Sequence, residues 1–157
     1  MPLILPKEGH FEYEEKRSRF IGRCAPASSE AQARQFIENI RSLEKGANHN
    51  VLAYSVTEGN IVRFNDDGEP SGTAGMPVLN VYERAGIIDW VCVVTRYFGG
   101  TLLGAGGLVR AYTKAAKGAM DAQGLPRGFI SNCTGLLAST PSLIKPNTTL
   151  INGALRY

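Results

Sequence analysis

Ile87–Thr95 reads IIDWVCVVT, residues 99–107 read GGTLLGAGG, and Leu108–Gln123 reads LVRAYTKAAKGAMDAQ. The first run is β-branched, aromatic and nearly continuous, which suits a central strand buried on both faces. The second holds 5 glycines in nine residues. The third has a helical period. At ~100° per residue Leu108, Tyr112, Ala115 and Ala119 share one face, while Arg110, Lys114 and Lys117 share the opposite one. Small alanines on the inner face let such a helix approach a sheet closely. Gly124 and Pro126 then end it.

Upstream, His10–Glu14 alternates modestly and Ser18–Cys24 (SRFIGRC) alternates well, so both are expected strands. Ser29 is an N-cap, with Gln32 closing a capping box. The helix it opens runs to about Lys45, with Ala33, Phe36, Ile37, Ile40 and Leu43 on one face. Gly46 is expected at a left-handed C′ position. Asn50–Val56 and Asn60–Phe64 flank Glu58-Gly59 as a β-hairpin. A long polar stretch follows, Asn65–Gly75 (NDDGEPSGTAG). Pro77 suits the first turn of a short helix, about Met76–Arg84, that Gly86 ends.

The 157 residues and 16.9 kDa correspond to one domain, or one domain and an appendage. With 43% hydrophobic and 20% charged residues the balance is globular, which excludes collagen, coiled coil and wholesale disorder. No run approaches the ~20 apolar residues of a membrane span. The opening MPLILPKEGHFEYEE does not read as a signal peptide. Three well-separated cysteines, Cys24, Cys92 and Cys133, suggest a reducing, cytoplasmic setting. Two units are expected, residues 1–127 as the folded domain and 128–157 as a C-terminal extension. That extension holds 10 Ser, Thr or Asn, 2 basic residues and no acid.

Charge is unevenly spread. Residues 1–89 carry 10 basic and 13 acidic groups, whereas 90–157 carry 7 basic groups and only Asp121 as an acid. Such an imbalance either forms an electropositive patch that attracts anions or nucleic acid, or simply solvates a surface. Free N–H groups at a helix N-terminus behind a glycine loop favour an anion, with Arg96 before the loop and Arg110 after it. The loop matches neither a P-loop nor a dinucleotide fingerprint. Its glycines equally suit tight helix-on-sheet packing and turns with positive φ. Asp66, Asp67 and Glu69 in DDGEPSG leave three readings open: a structural turn, a partner-binding loop, or a Mg²⁺ site lacking EF-hand spacing. There is no nucleophile elbow, and only His10 and His49 are present, so no histidine-rich metal site is expected.

Two segments go beyond generic pattern: Asp66–Leu79, DDGEPSGTAGMPVL, and Val93–Tyr112, VVTRYFGGTLLGAGGLVRAY. With EKRSRFIG at Glu15–Gly22 and ANHNVLAY at Ala47–Tyr54, they resemble the N-terminal domain of the IMPACT/YigZ family, over about residues 11–125. The resemblance implies an α+β fold: a four-stranded mixed sheet with helices packed on one face. That is the fold of the second domain of small-subunit ribosomal protein five and of elongation factor G domain IV. Longer relatives add a C-terminal ferredoxin-like domain, which residues 128–157 do not resemble, so no complete second domain is expected there and the chain is expected to be a single-domain form or one whose second domain is shortened or altered. The family's signature maps onto Asp66, Asp67, Gly68, Glu69, Pro70, Gly72, Thr73 and Gly75 in one stretch. In the other it maps onto Arg96, Tyr97, Gly99, Gly100, Gly104, Gly107 and Arg110. Met76 stands where many relatives carry Lys or Arg, and Leu102 where many carry Lys; both departures remove positive charge. Asn50 replaces a second histidine or similar group.

The function expected from this resemblance is a translation-linked regulatory or nucleic-acid- and ribosome-binding module. Its anion or nucleic-acid contacts would be Arg96, Gly99, Gly100, Gly104, Gly107, Arg110, Lys114 and Lys117. Two alternatives stand beside it. One is a protein-interaction module of the starvation-response type, using Tyr97 and Phe98 to contact a translation-regulatory protein. The other is a small enzyme holding an anionic substrate at the glycine loop. No catalytic residue, cofactor or metal is assigned, and the partners expected are RNA, the ribosome or a regulatory protein rather than a membrane.

Overall fold

The computed structural model describes residues 3–123. In chain order the elements are β1 (Leu3–Ile4), β2 (Gly9–Glu15), β3 (Ser18–Pro26), α1 (Glu30–Leu43), β4 (His49–Val56), β5 (Ile61–Asn65), α2 (Gly75–Arg84), β6 (Ile87–Ile88), β7 (Trp90–Tyr97) and α3 (Gly104–Asp121). The fold is α+β. The main sheet has order β2-β3-β7-β4-β5 with every neighbour antiparallel, so it has five strands and is not mixed. A small parallel pair, β1 with β6, stands apart. The run expected as one strand is broken at Asp89, whose φ of 55° turns the backbone between β6 and β7. The Asp89 carboxylate accepts from the Thr57 N–H at 2.8 Å, tying this break to the β4–β5 loop.

β7 lies at the centre of the sheet, and Trp90–Arg96 are all buried. Helices cover both faces, not one as the resemblance implies. Val91 and Val93 pack with Ala33, Ile37 and Ile40 of α1. Between them Cys92 alternates to the other face, opposite Cys24 of β3, where the Gln123 amide just after α3 reaches the Cys24 sulfur at 2.8 Å. A strand of period 2 whose residues are apolar at every position must be covered twice. α1 starts at the expected N-cap: the Gln32 N–H bonds the Ser29 hydroxyl at 3.3 Å, but the capping box is not closed at Ser29, because the Gln32 side chain accepts from the N–H of Ser28, one residue earlier, at 2.8 Å. It ends differently. Gly46 is not at positive φ; Glu44 is the C-cap, its N–H bonding the Ile40 carbonyl at 2.8 Å.

α3 begins at Gly104 rather than Leu108, so Gly104, Gly106 and Gly107 belong to its first turn. Its buried face is Leu108, Ala111, Tyr112, Ala115, Ala116, Ala119 and Met120. The helix lies so close to the sheet that a Cβ on Gly22 would collide with the Ala115 carbonyl, and one on Gly9 with that of Ala119. The extension read at 128–157 lies outside the described residues. No helix among the described residues is long and apolar enough to cross a membrane.

Candidate nucleic-acid interface

The two signature stretches meet through one buried ion pair. Glu69 and Arg96 have side chains only 3% and 5% exposed, and Arg96 Nη1 donates to Glu69 Oε2 at 2.8 Å. The Tyr112 hydroxyl donates to the same oxygen at 2.5 Å, and Arg96 Nη2 donates to the Ser18 hydroxyl at 3.3 Å. His49 Nε2 stands 3.6 Å from Glu69 Oε1. Burial, and then the hydrogen bond to Glu69, push the Tyr112 phenol far above its ordinary range, so it stays a donor. Arg96 therefore joins β7, the Asp66–Gly75 loop and α3, and is not open to an anion from solvent.

The other loop carboxylates are likewise engaged within the fold. Asp66 Oδ1 accepts from the N–H groups of Gly75 at 2.7 Å and Ala74 at 3.2 Å, capping α2, and Oδ2 accepts from Gly72 N–H at 3.1 Å. This satisfies N–H groups at the helix start and places negative charge at the positive end of the dipole. Asp67 Oδ2 accepts from Asn50 N–H at 2.7 Å, while its carbonyl meets His49 Nδ1 at 2.8 Å. Asp67, Gly68 and Gly72 turn the chain with φ of 45°, 92° and 82°. The Pro70 carbonyl accepts from both the N–H and the hydroxyl of Thr73. Among the described residues no group of three or more His, Cys, Asp or Glu could hold a metal ion.

The glycine region is different in kind. α3 has no side-chain cap and no acid in its first turn, and Gly104, Ala105 and Gly106 are exposed. Its first N–H groups have no intrahelical partner, so the positive end of an 18-residue helix faces outward. Gly104 and Gly100 take φ of 77° and 95° to deliver the chain there. Gly99 permits a close approach, because a Cβ there would overlap the backbone of Arg17. That contact brings the β2–β3 hairpin tip beside the loop. A groove of about 250 Å³ results, lined by Tyr13, Glu15, Lys16, Leu103, Gly107, Arg110, Ala111 and Lys114.

Of the predicted cations, Arg110 and Lys114 are exposed on this groove, and the Lys114 ammonium lies 4.6 Å from the centre of the Tyr13 ring. Burial, then the Glu15 charge, push the Tyr13 phenol up to about 12. Lys117 is half-buried and 3.5 Å from Asp121, one turn on. The sequence reading missed Lys16 and Arg17, which only the contact with Gly99 brings to the site. The aromatic pair divides. The Tyr97 hydroxyl donates to Glu44, whereas Phe98 is 44% exposed with the Arg96 guanidinium 5.3 Å from its ring centre.

Comparison with known proteins gives this architecture its family. The Impact N-terminal domain model matches residues 16–120, and the chain belongs to the IMPACT family. It is 48% identical to IMPACT family member YvyE of Bacillus subtilis (strain 168), over 68% of this chain and 50% of that one. It is 41% identical to IMPACT family member YigZ of Escherichia coli (strain K12), over 63% of this chain and 50% of that one. The chain thus spans about half the length of these curated relatives. A crystal structure of a hypothetical protein superimposes with a TM-score of 0.72 at 36% identity, over 75% of this chain and 59% of that one.

Proposed function

We propose that this domain is an RNA-binding module acting in translation, and that it holds the sugar–phosphate backbone in the groove between the β2–β3 hairpin tip and the first turns of α3. The family resemblance supplies the translational setting. The observation that carries the reading is the set of Lys16, Arg110 and Lys114 on the groove wall, with Arg17 at the adjoining hairpin tip, beside an uncapped, acid-free and sterically open helix N-terminus. Free backbone N–H groups at a helix start beside a cationic concavity suit phosphate oxygens, and several cations suit a polymer of them better than a single one. Glu15 is the one acid on the groove wall. The Glu69–Arg96–Tyr112 cluster is the scaffold that fixes the loop.

Fluorescence anisotropy with the full chain and a labelled 20-nucleotide RNA tests this. Arg110→Ala with Lys114→Ala is expected to weaken binding at least tenfold at fixed salt, while Lys117→Ala leaves it nearly unchanged. Equal affinity of the double variant and the parent protein would overturn the proposal.

A further inference from the structure

We infer that the nucleic acid held here is single-stranded, with a base stacked on Phe98 and the adjoining phosphates between the hairpin tip and Arg110. This deepens the RNA reading of the same groove and rests on it. Three observations carry it. First, a concavity of about 250 Å³ with cations on its wall has room for a nucleotide. Second, Phe98 is exposed one residue before Gly99, which packs on Arg17 of the hairpin tip, and it is held by its N–H to the Asn48 carboxamide at 2.7 Å and by Arg96 against its ring. An exposed aromatic next to a cationic track is how single strands are gripped without sequence preference, because an unpaired base offers a free face that a paired one does not.

The third is the hairpin tip itself. Glu15 pairs with Ser18, leaving Lys16 and Arg17 as a two-residue loop with φ of 48° and 70°. Both central residues at positive φ define the turn that favours Asn-Gly, and L-residues with long side chains are disfavoured there. Two cations in backbone positions that suit them badly, at the rim of a cationic groove, point to contact with a ligand. The chain carries a local conformational cost where only the charges would be missed.

The test uses the full chain with a fluorescein-labelled 12-nucleotide single-stranded RNA and a 12-base-pair duplex. The single strand is expected to bind at least tenfold more tightly at equal salt. Phe98→Ala is expected to weaken it about 5- to 150-fold, the range of one stacked base, with Phe98→Trp restoring affinity and duplex binding unmoved. Lys16→Asn with Arg17→Gly is expected to weaken both RNAs while raising the melting temperature by a few degrees. Equal binding of both RNAs, unaffected by Phe98→Ala, overturns this inference and leaves the RNA reading standing. Failure of both RNAs to bind overturns the RNA reading itself. A lowered melting temperature in the hairpin variant overturns the argument from turn strain.

Discussion

Removing either member of the Glu69–Arg96 pair leaves the other charge buried, and the two losses should differ. Without Arg96, Glu69 still accepts from Tyr112 and keeps His49 nearby at 3.6 Å. Without Glu69, Arg96 keeps one side-chain hydrogen bond, to the Ser18 hydroxyl, beside its ring contacts, and its Nε has no protein partner. Breaking a buried pair costs about 3–5 kcal/mol. Arg96→Met should therefore lie near the low end of that range and Glu69→Leu near the high end. Glu69→Leu also orphans the Tyr112 hydroxyl, which adds about 1–3 kcal/mol. The triple variant Arg96→Met, Glu69→Leu, Tyr112→Phe removes every member together and should recover most of the loss, since apolar replacement of a buried ionic cluster is commonly neutral or better. Urea unfolding followed by circular dichroism reads this directly. At an m-value of about 2 kcal/mol/M, a loss of 4 kcal/mol moves the midpoint by about 2 M. A triple variant as unstable as Glu69→Leu alone, or an Arg96→Met more damaging than Glu69→Leu, would refute the reasoning.

Two further outcomes follow from packing and charge. Gly22→Ala drives a methyl into the Ala115 carbonyl and should cost about 1–3 kcal/mol, whereas Gly46→Ala, in open space and not at positive φ, should gain about 0.4–1 kcal/mol; chemical denaturation checks both. Burial pushes the Glu44 carboxyl up, but hydrogen bonds from Tyr97 and Arg23 outweigh this and hold it below its ordinary value of 4.5. Its contribution to stability is thus complete above that value and is lost as pH falls through the lowered folded value. Glu44→Gln should flatten the acid limb of a stability–pH profile, and an unchanged limb would count against the assignment.

The elements legible in the sequence are those where local chemistry and tertiary context agree. Ser29 caps α1 as its position requires, and α3 buries the face its alanines mark. The unbroken apolar run of β7 indicates burial on both faces, and the helices do cover both; the one-faced sheet came from the resemblance, not from those residues. The break at Asp89 was hidden because a single residue at positive φ leaves the apolar pattern around it intact. In the site, sequence brings the two signature stretches to notice but cannot tell a buried cation from an exposed one. Arg96 and Arg110 look alike in the chain, and only the fold gives one of them a carboxylate 27 positions away. Lys16 and Arg17 were missed for the converse reason. Nothing local links a hairpin tip near the N-terminus to a glycine loop after β7, and the missing Cβ of Gly99 makes that link.

The salt dependence of RNA binding tests the central claim most directly. With Lys16, Arg17, Arg110 and Lys114 each neutralising one phosphate, log affinity plotted against log salt should fall with a slope of about −3 on the single-strand scale. Arg110→Ala with Lys114→Ala should bring it to about −1.4. A slope near zero, or one that the double variant leaves unchanged, would contradict the account.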